Sequence, residues 1–207
     1  PTWYLPRRKH GDLLVTLARY REAETHLEAA FELTNTAADQ AAVSNSFGIL
    51  SYRNDRLEEA ERRFREMCTI VEKEFGPDHP EVATGLSTLA QVVSDTHRYV
   101  EAEDSLKRSL AICEKVNGPS HVSVTMPLST LANLYYKTHR LELAEFLMCR
   151  DLHIRMRIYG PTNPEMANGL SNLAVLLGDT DRTKSADAFL RGALKICLLY
   201  TSDAADD

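Results

Sequence analysis

Three short strings recur in this chain: Phe75-Gly76-Pro77-Asp78-His79-Pro80, Val116-Asn117-Gly118-Pro119-Ser120-His121 and Tyr159-Gly160-Pro161-Thr162-Asn163-Pro164. Their Gly-Pro pairs are 42 residues apart each time. A second marker, a small residue in stretches like Arg-Tyr-x-Glu-Ala-Glu, falls at Ala60, Ala102, Ala144 and Ala186 with the same interval, and Ala23 stands 37 residues before Ala60. A third set lies twelve residues upstream of each alanine, at Gly48, Ala90, Ala132 and Ala174. Three independent markers on one period restrict the chain to a stack of like units, each burying its apolar face against its neighbours: a solenoid.

Each period reads as two helices. From Tyr99 the apolar or small residues fall at Ala102, Leu106, Ser109, Leu110 and Cys113, and before it Val82, Leu86, Leu89, Ala90 and Val93 form a second stripe; both have the spacing of one helical face. The polar break Asp95-Thr96-His97-Arg98 is short enough to force the two antiparallel, and small residues at Ala90 and Ala102 let their backbones approach closely. The Gly of each Gly-Pro string ends a second helix, and Asp78 with Glu81, or Thr162 with Glu165, is expected to form the capping box of the next. The fold class is therefore all-α. One residue breaks the pattern: Pro127 takes the slot of Gly85 and Gly169, and should kink its helix near Ser123 to Met126 or delay its start. Asp151 and Arg155 place two charges in an otherwise core-facing stripe and are expected to pair, partly buried.

The small-aromatic-small spacing resembles the tetratricopeptide repeat, and the lengthened unit with its Gly-Pro linker resembles the 42-residue form found in kinesin light chain and nephrocystin-like scaffold proteins. The resemblance covers about residues 38–196, with a degenerate earlier repeat at roughly 10–36. It divides a single solenoid domain, 1–196, into repeats at approximately 10–36, 38–74, 78–116, 120–158 and 162–196. It implies a right-handed superhelix whose first helices line a concave groove for a partner peptide or helix. Light-chain repeats often carry Asn-Asn before Leu-Ala there; the matching pairs are Asn45-Ser46, Ser87-Thr88, Ser129-Thr130 and Ser171-Asn172, of which only Asn45 and Asn172 keep the amide. On this register the partner-binding wall comprises Asn45, Ile49, Tyr52, Arg53, Gln91, Asp95, Asn133, Tyr136, Lys137, Asn172, Val175 and Asp179. Its charges are mixed, and the carboxylate clamp that chaperone-binding members build from Lys, Asn and Arg is not reproduced, which disfavours bare C-terminal carboxylates as ligands.

The rest of the sequence narrows the function classes. A net charge of −6 argues against a general nucleic-acid binder, and no apolar run approaches the ~20 residues of a membrane helix. Cys197 to Asp207 resembles the translation of a transposase adapter used in sequencing libraries and is read as a non-native tail, Ser202 to Asp207 being expected to be disordered or placed without contacts. Half of the net charge then belongs to Asp203, Asp206 and Asp207, so the remainder is only mildly acidic. With no Met at one end and adapter at the other, the chain is expected to be a fragment, its truncated solenoid ends leaving self-association open. Cys68, Cys113, Cys149 and Cys197 form no CxxC and suit a reducing compartment, the cytoplasm.

No catalytic or metal constellation emerges. His79 and His121 occupy equivalent linker turns where Asn163 replaces them, which points to capping; His97 and His139 match each other in the inter-helix break, where a left-handed backbone is expected. The string Arg7-Arg8-Lys9-His10 reads as a solvated repeat boundary. There is no HExxH, GxGxxG, Walker loop or GxSxG. No catalytic residue, cofactor or metal is assigned. The favoured function is a non-catalytic scaffold binding a partner protein or peptide, a kinesin light chain-like adaptor. The alternative is a regulatory or sensor array of a larger signalling protein whose NTPase or other effector domain lies outside these residues.

Overall fold

The computed structural model describes residues 4–203. Among them the chain is all-helical: α1 (Tyr4–Thr16), α2 (Tyr20–Phe31), α3 (Ala37–Arg53), α4 (Leu57–Phe75), α5 (Pro80–Asp95), α6 (Tyr99–Asn117), a 3-10 turn (Val122–Val124), α7 (Thr125–Lys137), α8 (Leu141–Tyr159), α9 (Pro164–Asp179) and α10 (Thr183–Asp203). Odd-numbered helices are the first helices of the repeats and even-numbered ones the second. The chain forms two compact units, one ending at Ile112 and the other beginning at Cys113, with the boundary inside α6.

The expected small-residue slots are closed contacts. Ala23, Ala60, Ala102 and Ala144 of the second helices are fully buried, as are Ala90 and Ala132 of the first. Gly48 takes the slot of Ala90 because its partner is larger: a Cβ there would stand 2.5 Å from the Phe64 ring, where the slot of Phe64 holds Leu106 and Met148 in later repeats. Within the first unit, Leu14, Leu27, Val43, Phe47 and Leu50 join α1, α2 and α3 into one core.

Each break between paired helices turns on one residue with positive φ: Ala18, Asp55, His97, His139 and Asp181, at φ 56° to 62°. His97 and His139 thus adopt the left-handed backbone expected of them. Between repeats, Gly76, Gly118 and Gly160 have φ of 80° to 90°; at Gly76 and Gly160, the C-caps of α4 and α8, ψ is 165° and 169°. That region is essentially glycine's own, and since nothing stands within 4 Å of a Cβ built there, backbone conformation rather than space demands glycine.

The helix starts bear out capping by His79, His121 and Asn163 and correct the expected capping boxes by one residue. The caps are His79 and Asn163, not Asp78 and Thr162: His79 Nδ1 accepts from the Glu81 N–H at 3.3 Å, and Asn163 Oδ1 from the Glu165 N–H at 2.9 Å. Pro80 and Pro164 suit this arrangement, since proline is favoured at the first helical position, directly after the N-cap. His121 Nδ1 accepts likewise from the Ser123 N–H. Pro127 acts as expected: α7 starts late, at Thr125, after the 3-10 turn, and has 13 residues where α5 and α9 have 16. Lacking an N–H and crowding the carbonyl four residues back, Pro127 is accommodated in the first turn of the shortened helix.

One further expectation fails. Arg7 to His10 is no boundary but lies inside α1. α10 runs through Asp203, so Ser202 and Asp203 are helical; 204–207 lie outside the described residues.

Candidate functional site: the face of the first helices

In the first unit, the end of α3 meets the end of α5. The Tyr52 hydroxyl donates to Asp95 Oδ2 at 2.8 Å and accepts from Gln91 Nε2 at 3.1 Å. Burial and the Asp95 carboxylate beside it raise the Tyr52 pKa. In the second unit, the Tyr136 hydroxyl of α7 donates to Asp179 Oδ2 of α9, a bond that raises the Tyr136 pKa. Both bonds join residues 43 apart, one repeat plus one position. The two tyrosines of the expected binding wall are thus pinned by their polar ends to the next first helix.

The wall residues also differ in exposure. Ile49 and Val175 are exposed apolar groups at 36% and 53%, and Arg53, Gln91, Asn133, Lys137, Asn172 and Asp179 are exposed as well. Asn45 is half-buried, and its Oδ1 is a buried atom without a hydrogen-bond partner among the described residues. It borders a cavity of about 350 Å3 between α1, α3, α4 and α5, whose walls include Ala38, Ala41, Met67, Val71, Phe75 and Arg8. Sequence reasoning missed this cavity. It adjoins the first repeat, whose 37-residue spacing breaks the period, and needs α1 to deliver Arg8.

Behind the wall, Asp151 and Arg155 of α8 form the expected pair, Arg155 Nε donating to Asp151 Oδ2 at 2.8 Å. Asp151 is buried rather than partly buried, its side chain 5% exposed and that of Arg155 15%. Arg155 also holds Glu165 at 2.7 Å. Burial raises the Asp151 pKa above its ordinary value, against the pull of Arg155.

The outer surface is laced by ion pairs that repeat with the period: Arg98 to Glu61 and Arg182 to Glu145 are both 37 residues apart, and Arg108 to Glu72 and Arg150 to Glu114 both 36. Arg108 and Arg150 also donate to the carbonyls of Pro77 and Pro119, tying down the Gly-Pro linkers. These exposed pairs serve stacking and offer no convergent chemistry. Burial pushes the Cys68 thiol up to about 11, the direction of an inert sulfur. Among the described residues no group of three or more His, Cys, Asp or Glu is placed to hold a metal ion, and no helix is long and apolar enough to cross a membrane.

The tetratricopeptide-repeat family model matches residues 39–115 and 82–150, which together span more than half of the chain. No curated protein matches the sequence. Solved structures share the fold at low identity. BtubC (BKLC) from P. vanneervenii superposes with a TM-score of 0.78 at 19% identity, covering 92% of this chain and 78% of that one. The Podosopora anserina kinesin light chain structure with nearly identical TPR-like repeats gives 0.72 at 17%, covering 92% and 93%. A Rap protein complexed with Competence and Sporulation Factor gives 0.77 at 12%, covering 93% of this chain and 54% of its own.

Proposed function

Because the chain belongs to the tetratricopeptide-repeat family, we propose that it is a non-catalytic interaction scaffold of the 42-residue, kinesin light chain-like subtype, acting in the cytoplasm and taking a partner peptide or helix across the face of its first helices. The observation that carries this reading is a division of labour in the second unit. Tyr136 is held rigid by Asp179, while the neighbouring Asn133 and Asn172 are exposed amides without a side-chain hydrogen bond to the described residues. Amides not used by the fold can capture a peptide backbone whatever its sequence, and a pre-positioned aromatic loses little side-chain entropy on binding. The first unit repeats the theme, with Tyr52 held by Asp95 and Asn45 Oδ1 left open. On this reading the five repeats form one solenoid over residues 1–196 and 197–207 is a non-native tail. The Rap structure, a repeat array complexed with a factor, is a precedent for the architecture.

The test selects ligands from a random peptide library on the full chain. Micromolar binding, roughly 8 kcal/mol, is the expected range. Asn133→Ala, Tyr136→Ala and Asn172→Ala should each weaken it, while Glu103→Ala and Lys107→Ala on α6 should not. Loss with the α6 variants alone would put the site on the second helices and defeat the proposal.

A further inference from the structure

Asp151 departs from its repeat in a way that pairing with Arg155 does not explain. Its slot is apolar in two other repeats, Met67 and Ala193, and is Ser109 in the repeat before. Ser109 is fully buried and fully bonded: its Oγ donates to the Ala83 carbonyl at 2.6 Å and meets Ser87 Oγ at 2.8 Å, so that the two serines close the space between α5 and α6. The corresponding space in the second unit is open. Ser129, the counterpart of Ser87, donates to the Met126 carbonyl instead, and a cavity of about 10 Å3 remains between Ser129, Asn133, Gly169, Asn172, Met148 and Asp151. Its rim is the exposed pair Asn133 and Asn172; its floor is buried Met148 and Asp151. Asp151 Oδ1 is a buried atom with no hydrogen-bond partner among the described residues, on a side chain only 5% exposed. A bare carboxylate oxygen is costly to bury, and the neighbouring repeat shows that the slot can be satisfied with serine.

We propose that this cavity receives the ε-ammonium of a lysine from the partner peptide, which makes Asp151 a specificity-determining residue; the inference rests on the peptide-binding reading above. The charge fits: Arg155 is shared between Asp151 and Glu165, so the three side chains together carry one net negative charge. The donors fit: an ammonium offers three N–H groups, and the residues lining the cavity include a carboxylate, a serine hydroxyl and two asparagine amides, at Asp151, Ser129, Asn133 and Asn172, all of which carry acceptor oxygens. The size fits as well. The space is about that of a single water-sized group, the scale of an ammonium and smaller than the planar guanidinium of arginine.

The experiment takes the peptides selected on the full chain and compares each lysine with norleucine and with arginine, against the unaltered chain and against Asp151→Asn and Asp151→Ser, the last restoring the residue of the preceding repeat. One lysine should stand out: its replacement by norleucine or arginine weakens binding at least about tenfold in the unaltered chain and no more than roughly threefold in either variant. The comparison of peptides on the unaltered chain needs no variant to fold. Equal affinity of lysine and norleucine peptides there would mean that the cavity holds water only and would overturn the inference. Peptides that need Asn133 and Tyr136 but no lysine would overturn it while leaving the proposed function standing; a chain that selects no peptide would defeat both.

Discussion

Removing Arg155 should damage the protein far more than removing its partner. In Arg155→Ala the Asp151 carboxylate, 5% exposed, loses its 2.8 Å guanidinium and remains buried with no cation. A stranded charge of this kind costs ~3 to 5 kcal/mol, and the lower end applies because polar groups around the adjoining cavity screen it. In Asp151→Ala the guanidinium keeps Glu165 at 2.7 Å, so no buried charge is stranded and the loss is smaller, about 1 kcal/mol. With the carboxylate gone, deleting Arg155 as well should add little. The expected losses are therefore about 3, 1 and 1 kcal/mol for the arginine, aspartate and double variants, read from urea unfolding of the full chain. The pH dependence has a definite sign. Burial already raises the Asp151 pKa, and removing Arg155 raises it further. Between the ordinary and the raised value the folded state holds a proton that the unfolded state releases, so stability falls as pH rises through that window. The deficit of Arg155→Ala should be larger at neutral pH than in acid and shrink on acidification towards the ordinary carboxylate range. Strictly additive losses, or a deficit that grows in acid, would refute the reasoning.

Other perturbations have equally definite outcomes. Tyr52→Phe and Tyr136→Phe each delete one hydrogen bond to a carboxylate between consecutive first helices, and should cost about 1 kcal/mol in urea unfolding while lowering peptide affinity through loss of the pinned ring. Gly76→Ala and Gly160→Ala place a Cβ on a backbone that only glycine adopts freely, and should cost ~1 to 3 kcal/mol despite the open space around them; a neutral effect would show that the linker relaxes. Pro127→Ala should extend α7 back towards His121, seen as helical carbon chemical shifts at Val122 to Val124; an unchanged 3-10 turn would mean that the proline is not its cause.

The order of the helices, the alanine slots, the left-handed turns at His97 and His139 and the late start of α7 were all legible in the sequence, because each follows from a local rule applied to a 42-residue period. The caps at His79, His121 and Asn163 follow from the equivalence of the three linker turns, whereas the Asp78-x-x-Glu81 and Thr162-x-x-Glu165 patterns point one residue too early. The tyrosine braces were less accessible. They join neighbouring first helices through residues 43 apart, so one-repeat alignment puts the partners in different columns. The signal was nevertheless present as alternation: Tyr52-Arg53 and Tyr136-Lys137 exchange with Ser94-Asp95 and Gly178-Asp179, so a tyrosine of one repeat always faces an aspartate of the next. The depth of Asp151 was not legible, since a charge in a core-facing column is ordinarily accommodated by turning outward; only the packing of α8 shows that it stays inside with one oxygen bare.

The most direct test of the central claim is photo-cross-linking of the full chain with a selected peptide carrying benzophenone at successive positions. Cross-links should fall on α3, α5, α7 and α9, with Asn133, Tyr136 and Asn172 among the labelled sites. Labelling confined to α4, α6, α8 and α10 would contradict the claim that the first helices are the binding face.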